Sequence, residues 1–240
     1  MATYEVKLTA RREVAEGTMA FHFEKPSGFD FAAGQFVNVA LIDPPETDDE
    51  GDDRTFSIAS APSETDLIFA TRMRDTAFKR VLKAAPMGAR VRVSTSSGRM
   101  VLHGDAARPA VFLAGGIGIT PFRAIIVQAA RDRAPHRLYL FYSNRRPEDA
   151  AFLEELQALE RENPNYRFIG TMTDMAKSHR PWAGEAGYIN KEMLAKHVGG
   201  LNGPIYYIVG PPTLVDAMRG MLTAAGVAGD DIRIEKFAGY

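Results

Sequence analysis

The chain has 240 residues, 45% hydrophobic and 25% charged, with 29 basic against 30 acidic side chains. That length allows two modest domains, and a net charge of −1 gives no global field to recruit nucleic acid or an anionic membrane. There is no cysteine, which excludes disulfides, redox dithiols and a protein-ligated iron–sulfur cluster, so electron transfer would need an organic cofactor or a separate partner.

No stretch approaches the ~20 apolar residues of a membrane span. The first eight residues, Met1 to Leu8, lack an apolar signal-like core. A cytoplasmic protein with no membrane span is expected. The five histidines, His22, His103, His136, His179 and His197, lack the paired spacing of metal ligands, and no metal site is expected.

From Tyr4 to about Leu102, strand-like runs alternate with turn signals. Strands are predicted over 4–10, 19–24, 35–41, 55–59, 67–73 and 89–94. Gly17, Pro26-Ser27-Gly28, Ala33-Gly34 and Met87-Gly88 punctuate them, a rhythm that suits a closed antiparallel barrel or a sandwich. One helix is predicted over 76–84, with Phe78, Val81 and Leu82 on one face. Between Asp43 and Asp53, seven of eleven residues are acidic. Self-repulsion and two prolines predict an exposed, mobile, solvated loop.

After Pro109 the rhythm changes. Buried strands are predicted over 109–114, 137–142, 166–171, 205–209 and 231–237. Helices are predicted over 120–133, 148–161 and 214–225, the last capped by Gly226. Alternating strands and helices predict a parallel sheet wound by helices, with a domain boundary near 104–108.

The first strand of that half runs into Gly115-Gly116-Ile117-Gly118-Ile119-Thr120-Pro121. Glycines let a backbone approach a ligand, and a helix N-terminus favours an anion. Thr120 reads as the N-cap and Pro121 as the first helical residue. A tight strand-to-helix turn without a ligand is the plainer alternative. Tyr142-Ser143-Asn144-Arg145-Arg146 follows the next strand. No acidic residue stands there to hold a ribose 2′-hydroxyl, whereas Ser143 with Arg145 or Arg146 would tolerate a 2′-phosphate.

Together these segments resemble those of the ferredoxin–NADP reductase superfamily. Arg54-Thr55-Phe56-Ser57 matches its Arg-x-aromatic-Ser pattern, preceded by the strand entry Ala33-Gly34-Gln35-Phe36. Gly115 to Pro121 is similar to its Gly-Gly-x-Gly-x-Thr-Pro segment, and Gly210-Pro211-Pro212 to its Gly-Pro-Pro motif. Glu235-Lys236-Phe237-Ala238-Gly239-Tyr240 resembles its C-terminal Glu-x-aromatic ending. The resemblance implies a six-stranded antiparallel Greek-key barrel binding FAD over 1–105. It also implies a parallel-sheet, Rossmann-like α/β domain binding NAD(P)H over 106–240.

The same resemblance assigns roles. Arg54 would pair with the flavin phosphate, where a guanidinium fork fits; read alone, it is equally a surface cation beside the acidic loop. Phe56 would cover the isoalloxazine or ribityl region with Thr55 among the cofactor-binding residues beside it, Ser57 would hydrogen-bond near flavin N5, and Ile58 and Ala59 would offer backbone groups. Thr71, Met73 and Arg74 lead to Thr76, Ala77 and Phe78, a helix start that would hold a second phosphate and so favours FAD over FMN. Asp75 reads as a cap balanced by Arg74. Gly115, Gly116, Gly118, Thr120, Pro121, Ser143, Asn144, Arg145, Gly210, Pro211 and Pro212 would hold the nucleotide. Val209 stands where many members carry a cysteine, so chemistry here does not use that thiol. Phe237 is the better-spaced shield for the flavin, with Tyr240 an extension beyond it.

The implied reaction is hydride transfer from NAD(P)H to bound FAD, in which the cofactors carry the chemistry and the protein aligns them. Ser57 and Glu235 would tune protonation around N5, and Phe237 or Tyr240 would act as a movable lid. Electrons would leave for an external acceptor such as ferredoxin or another small redox protein, with the chain a monomer. Two alternatives stay open: a free-flavin, ferric or quinone reductase with a small acceptor, and a non-catalytic flavin- or nucleotide-binding redox sensor.

Overall fold

The computed structural model describes residues 3–237; Tyr240 lies outside the described residues. The first half holds strands β1 (Thr3–Ala15), β2 (Thr18–Glu24), β3 (Phe36–Leu41), β4 (Asp53–Ser57), β5 (Asp66–Arg72) and β6 (Arg90–Ser94), with helix α1 (Ala77–Ala84) between the last two. The strands form one antiparallel sheet in the order β4-β3-β6-β1-β2-β5. Its outer strands β4 and β5 are consecutive in the chain, and the Ala59 N–H donates to the Ile68 carbonyl just past β4 (2.8 Å). The interior is aromatic and aliphatic, built on Phe21, Phe23, Phe56, Phe69 and Phe78. Alternation puts Val37, Val39 and Leu41 of β3 inward, as a strand with one buried face requires.

The second half holds β7 (Ala110–Gly115), α2 (Thr120–Arg131), β8 (Leu138–Asn144), α3 (Leu153–Glu162), β9 (Tyr166–Met172), β10 (Glu185–Ala186), α4 (Lys191–Val198), β11 (Ile205–Gly210), α5 (Pro212–Ala224) and β12 (Ile232–Lys236). All six strands are parallel, in the order β10-β9-β8-β7-β11-β12. Every residue of β7 and β11 is buried, as expected for strands covered on both faces. The chain runs outward from β7 through β8 and β9, then returns to β11 on the other side. That reversal places a switch-point crevice beyond the carboxyl ends of β7 and β11.

Several sequence expectations change. Thr120 is not the N-cap. A 3₁₀ turn, Gly116–Ile119, separates β7 from α2, so the helical path starts earlier; Thr120 is already helical and its Oγ1 donates to the Ile117 carbonyl (3.1 Å). Helix α3 starts at Leu153, not 148. Phe152, in the left-handed region at φ 59°, breaks the path because its N–H is drawn to the Val14 carbonyl (3.3 Å). The acidic loop is not simply solvated: Asp48 accepts from the Ala77 N–H (2.7 Å) and contacts Arg54 (3.4 Å). Asp75 does not cap α1. Thr76 does, weakly (3.4 Å to the Lys79 N–H), and Asp75 pairs with Arg80. The short strand β10 and helix α4 are additions. Helix α4 spans only two turns, with Met193 and Leu194 buried; Asn190 caps its start and Gly199, at φ 86°, ends it.

The halves share a core. Ala20, Ala59, Ile68 and Ala70 of the antiparallel sheet belong to the same buried cluster as Phe122, Ile125 and Ile126 of α2. Among the described residues no helix is long and apolar enough to cross a membrane.

Candidate functional site

Two clefts open along the seam between the sheets and run into each other, for Arg72, Arg74 and Ile117 line both. The first encloses about 520 Å³ and is walled by Arg54, Thr55, Phe56 and Ser57 of β4, Thr71 of β5 and Thr76 at the α1 cap. Thr120 and the Glu235–Phe237 segment complete it. The second encloses about 740 Å³ beyond β7 and β11, walled by Gly115, Gly116, Ser143, Asn144, Arg145 and Pro211. Segments far apart in sequence therefore converge as the motifs require.

The first cleft is cationic on one wall, with Arg54, Arg72, Arg74 and Lys79. The Lys79 ammonium donates to the Arg72 carbonyl (2.8 Å), and burial, with Arg74 nearby, lowers its pKa. Arg54 is already engaged. It lies 5.2 Å over the Phe78 ring, pairs with Glu50 (2.8 Å), and donates to the carbonyls of Glu50, Gly51 and Asp53. The Asp48 carboxylate thus bridges the guanidinium and a first-turn N–H of α1, as an anion would.

The same cleft also carries the groups suited to flavin chemistry. Ser57 is 6% exposed and its Oγ has no hydrogen-bond partner among the described residues. A buried hydroxyl without a partner is costly, and a bound heteroatom would relieve it. Burial raises the pKa of the Glu235 carboxyl, so it stays protonated at a pH where an exposed glutamate is ionised. Phe237 stands beside it, its N–H held by the Gly210 carbonyl (3.0 Å). These features fit a flavin.

In the second cleft, Gly116 takes φ 52°, a value only glycine adopts freely. Neither the following turn nor α2 carries a side-chain cap. Asn144 Nδ2 is buried without a partner among the described residues. Arg146 is spent on Asp149 (2.8 Å) and Glu16 (2.9 Å), whereas Arg145 is exposed on the cleft wall. Of the two arginines, Arg145, the one the sequence favours, lines the cleft. These features fit a dinucleotide.

Nine predicted contact residues line neither cleft. The Ile58 and Ala59 N–H groups are taken by the Gln35 and Ile68 carbonyls, and the Ala59 carbonyl by Arg123. Phe78 is barrel core, Met73 packs against that core, and the Ala77 N–H is held by Asp48. Gly118 serves packing: a Cβ there would sit 2.4 Å from the Val209 carbonyl oxygen. Pro121 is buried in the first turn of α2, and Gly210 and Pro212 flank Pro211 without reaching the space. Phe56, read as a flavin cover, is mostly embedded between Phe69 and Phe78 (6.0 and 5.9 Å). Conversely, Arg72, Lys79, Ile117, Thr213, Leu214 and Tyr188 were not anticipated as lining residues. Lys79 could have been found as the third residue after the Thr76 cap. Tyr188, 78% exposed, gave no signal.

Two continuous clefts, one cationic at a barrel edge and one glycine-walled at a parallel-sheet switch point, define an oxidoreductase of the two-domain flavin and pyridine-nucleotide class. The family model of the oxidoreductase NAD-binding domain matches residues 112–220. Ferredoxin–NADP reductase B of Sorangium cellulosum is 28% identical, over 98% of this chain and 97% of its own length. The toluate 1,2-dioxygenase electron transfer component of Pseudomonas putida is 25% identical over 99% of this chain, which spans 68% of that protein. This chain likewise spans 60% of a terephthalate 1,2-dioxygenase reductase component from Comamonas. In fold, a ferredoxin–NADP⁺ reductase from Neisseria gonorrhoeae, solved with bound FAD and NADP, superposes with a TM-score of 0.80 at 21% identity, covering 98% of each chain. By these matches the chain is similar in sequence and fold to reductases of the ferredoxin–NADP reductase superfamily.

Proposed function

We propose that the chain binds FAD in the cationic cleft, largely within 1–105, and NAD(P)H in the switch-point cleft, within 106–240, and passes electrons to an external redox protein. The observation that carries this is that the two clefts share Arg72, Arg74 and Ile117, with Ser57 and Glu235 lining the cationic one. When bound, the flavin accepts a hydride at N5 from nicotinamide C4 and can release electrons singly.

The chain's own residues bind, orient and manage protons. Arg54, Arg74, Lys79 and the α1 N-terminus would hold the flavin's phosphates. Ser57 offers a hydroxyl to the ring, and Glu235 holds a proton nearby. The Gly116 turn and Pro211 would place the nucleotide, and Phe237 would shield the ring until the nicotinamide arrives. The relatives named as ferredoxin reductase and dioxygenase components support a small one-electron carrier as acceptor. A cytoplasmic monomer that meets its carrier by diffusion belongs to the same reading.

The test is colour. Protein purified with FAD should be yellow and bleach anaerobically with NADH or NADPH, then regain colour with a one-electron protein acceptor. Colour that returns only with free flavin, ferric or quinone acceptors supports a small-acceptor reductase. Protein that stays colourless, or yellow without bleaching, supports a binding subunit without turnover.

Two residues sharpen this reading. Arg145→Ala should raise the KM for NADPH by about tenfold, the worth of a charge-assisted contact to a 2′-phosphate, and change that for NADH little; equal loss for both removes Arg145 from the 2′ position. Since Glu235 has a raised pKa, its proton is present at low pH and lost as pH rises through a value above the ordinary carboxylate range. Flavin reduction should fall along that limb, and Glu235→Gln should flatten it near the low-pH rate. A limb unchanged in Glu235→Gln belongs to another group.

A further inference from the structure

Arg123 lies one turn into α2, three residues beyond Thr120, and is 5% exposed. A guanidinium has five N–H donors in a fixed plane, and here all five are used. Nε and Nη2 reach the two oxygens of Glu155 (3.0 and 2.5 Å). Nη1 and Nη2 reach the two oxygens of Glu64 (2.9 and 3.0 Å). The remaining Nη1 proton goes to the Ala59 carbonyl (2.8 Å). The guanidinium stacks 5.0 Å above the Phe152 ring, beside the left-handed turn that delays α3. Burial opposes the charge, yet the two carboxylates hold it, and the net direction is upward.

The partners lie on both sides of the seam. Ala59 is two residues past Ser57 on the flavin-facing segment. Glu64 grips the same turn from beneath, accepting from the Ala61 N–H (2.6 Å). Glu155 and Phe152 belong to the nucleotide half, as does α2, whose leading turn walls the second cleft. Gln128, further along α2, adds an acceptor for the Ser63 N–H (2.9 Å). One side chain therefore ties the strand end that presents Ser57 to the helix whose start presents the nucleotide.

We propose that Arg123 is a positioning residue that fixes the flavin-side strand against the nucleotide-side helix and so sets the alignment of the two rings. This rests on the functional reading above. Arg123 touches neither cleft and acts through Ala59 and α2. Lysine has three donors on a flexible stem and no planar fork, so it holds one carboxylate at a time. Displacement of reacting groups by about 1 Å can slow a reaction about 10²-fold without loss of binding.

The absence of cysteine allows a clean distance measurement on the full chain. Spin labels on Lys83→Cys and Glu192→Cys, both exposed, one in each half, report the separation of the halves with FAD added. Arg123→Met should broaden a narrow distance distribution and slow flavin reduction at saturating nucleotide about 10²-fold. FAD and NAD⁺ dissociation constants should change little. Arg123→Lys should restore part of both properties. Glu155→Gln leaves Glu64 and Ala59 in place and should shift both in the same direction more mildly; it carries the test if the Arg123→Met chain is insoluble. An unchanged distribution overturns the proposal, as does slowing that disappears at saturating nucleotide. A purely structural role would lower the melting temperature alone and is rejected or accepted by the same comparison. Wild-type protein that binds FAD but is never reduced rejects the functional reading instead, while the distance distributions still decide the clamp.

Discussion

Ser57→Ala is expected to slow flavin reduction by about 10²-fold, the usual loss when one preorganised donor to a reacting centre is removed. The hydroxyl is buried, has no partner among the described residues, and lines the cationic cleft. Its desolvation is already met in the folded protein, so it can act on a bound ring without reorganising. Because the unpartnered oxygen is itself unfavourable, the alanine variant should be as stable as the parent or slightly more so. FAD and NAD(P)H affinities should hold within a small factor, since phosphate contacts dominate them. Stopped-flow reduction under anaerobic conditions, alongside melting curves, checks both parts. A variant reduced at the parental rate would remove Ser57 from the chemistry.

The second large effect concerns the acidic loop. Arg54→Met should weaken FAD binding about 10- to 100-fold, the worth of charge-assisted hydrogen bonds to a phosphate. Asp48→Asn should do the opposite. Asp48 now occupies both the guanidinium and the Ala77 N–H, the two donors an incoming phosphate needs. Neutralising it weakens the competitor, because a neutral amide oxygen accepts less strongly than a carboxylate from both donors. FAD association should quicken and affinity rise several-fold. Titration followed by quenching of FAD fluorescence reads both. If Asp48→Asn binds FAD no better and Arg54→Met no worse, the phosphate lies elsewhere and the loop contact is only structural.

Much of the fold was legible. Continuous apolar runs at 109–114 and 205–209 fixed the parallel sheet, and period-two alternation with glycine turns fixed the barrel strands. Chain-local signals carried less far wherever a distant partner intervened. Nothing in the 148–161 pattern shows that Val14 will pull the Phe152 backbone into a left-handed turn. Helix α4 was hidden by its length of only two turns, although its Asn190 and Gly199 caps were readable. At the site, Ser57, Glu235, Phe237, Gly115, Gly116 and Arg145 fall on the cleft walls as their motifs imply. Ala59 and Gly118 do not, because the same motif spacing serves backbone packing: one carbonyl is spent on Arg123, and one missing Cβ lets β11 approach. Charge counting made the acidic loop look solvated. Only the three-dimensional proximity of Asp48 to Arg54 and α1 shows that it occupies the donors proposed for the flavin's phosphate.

The central claim is that the two clefts bring a nicotinamide and a flavin together on this chain. Single-turnover reduction of the FAD-loaded protein by NADH or NADPH, protiated against deuterated at the transferring C4 position, tests it most directly. The account predicts bleaching of the flavin band within the mixing record, slowed by a primary isotope effect on deuteration and slowed further in Ser57→Ala. A flavin that binds but stays oxidised with both nucleotides would contradict it.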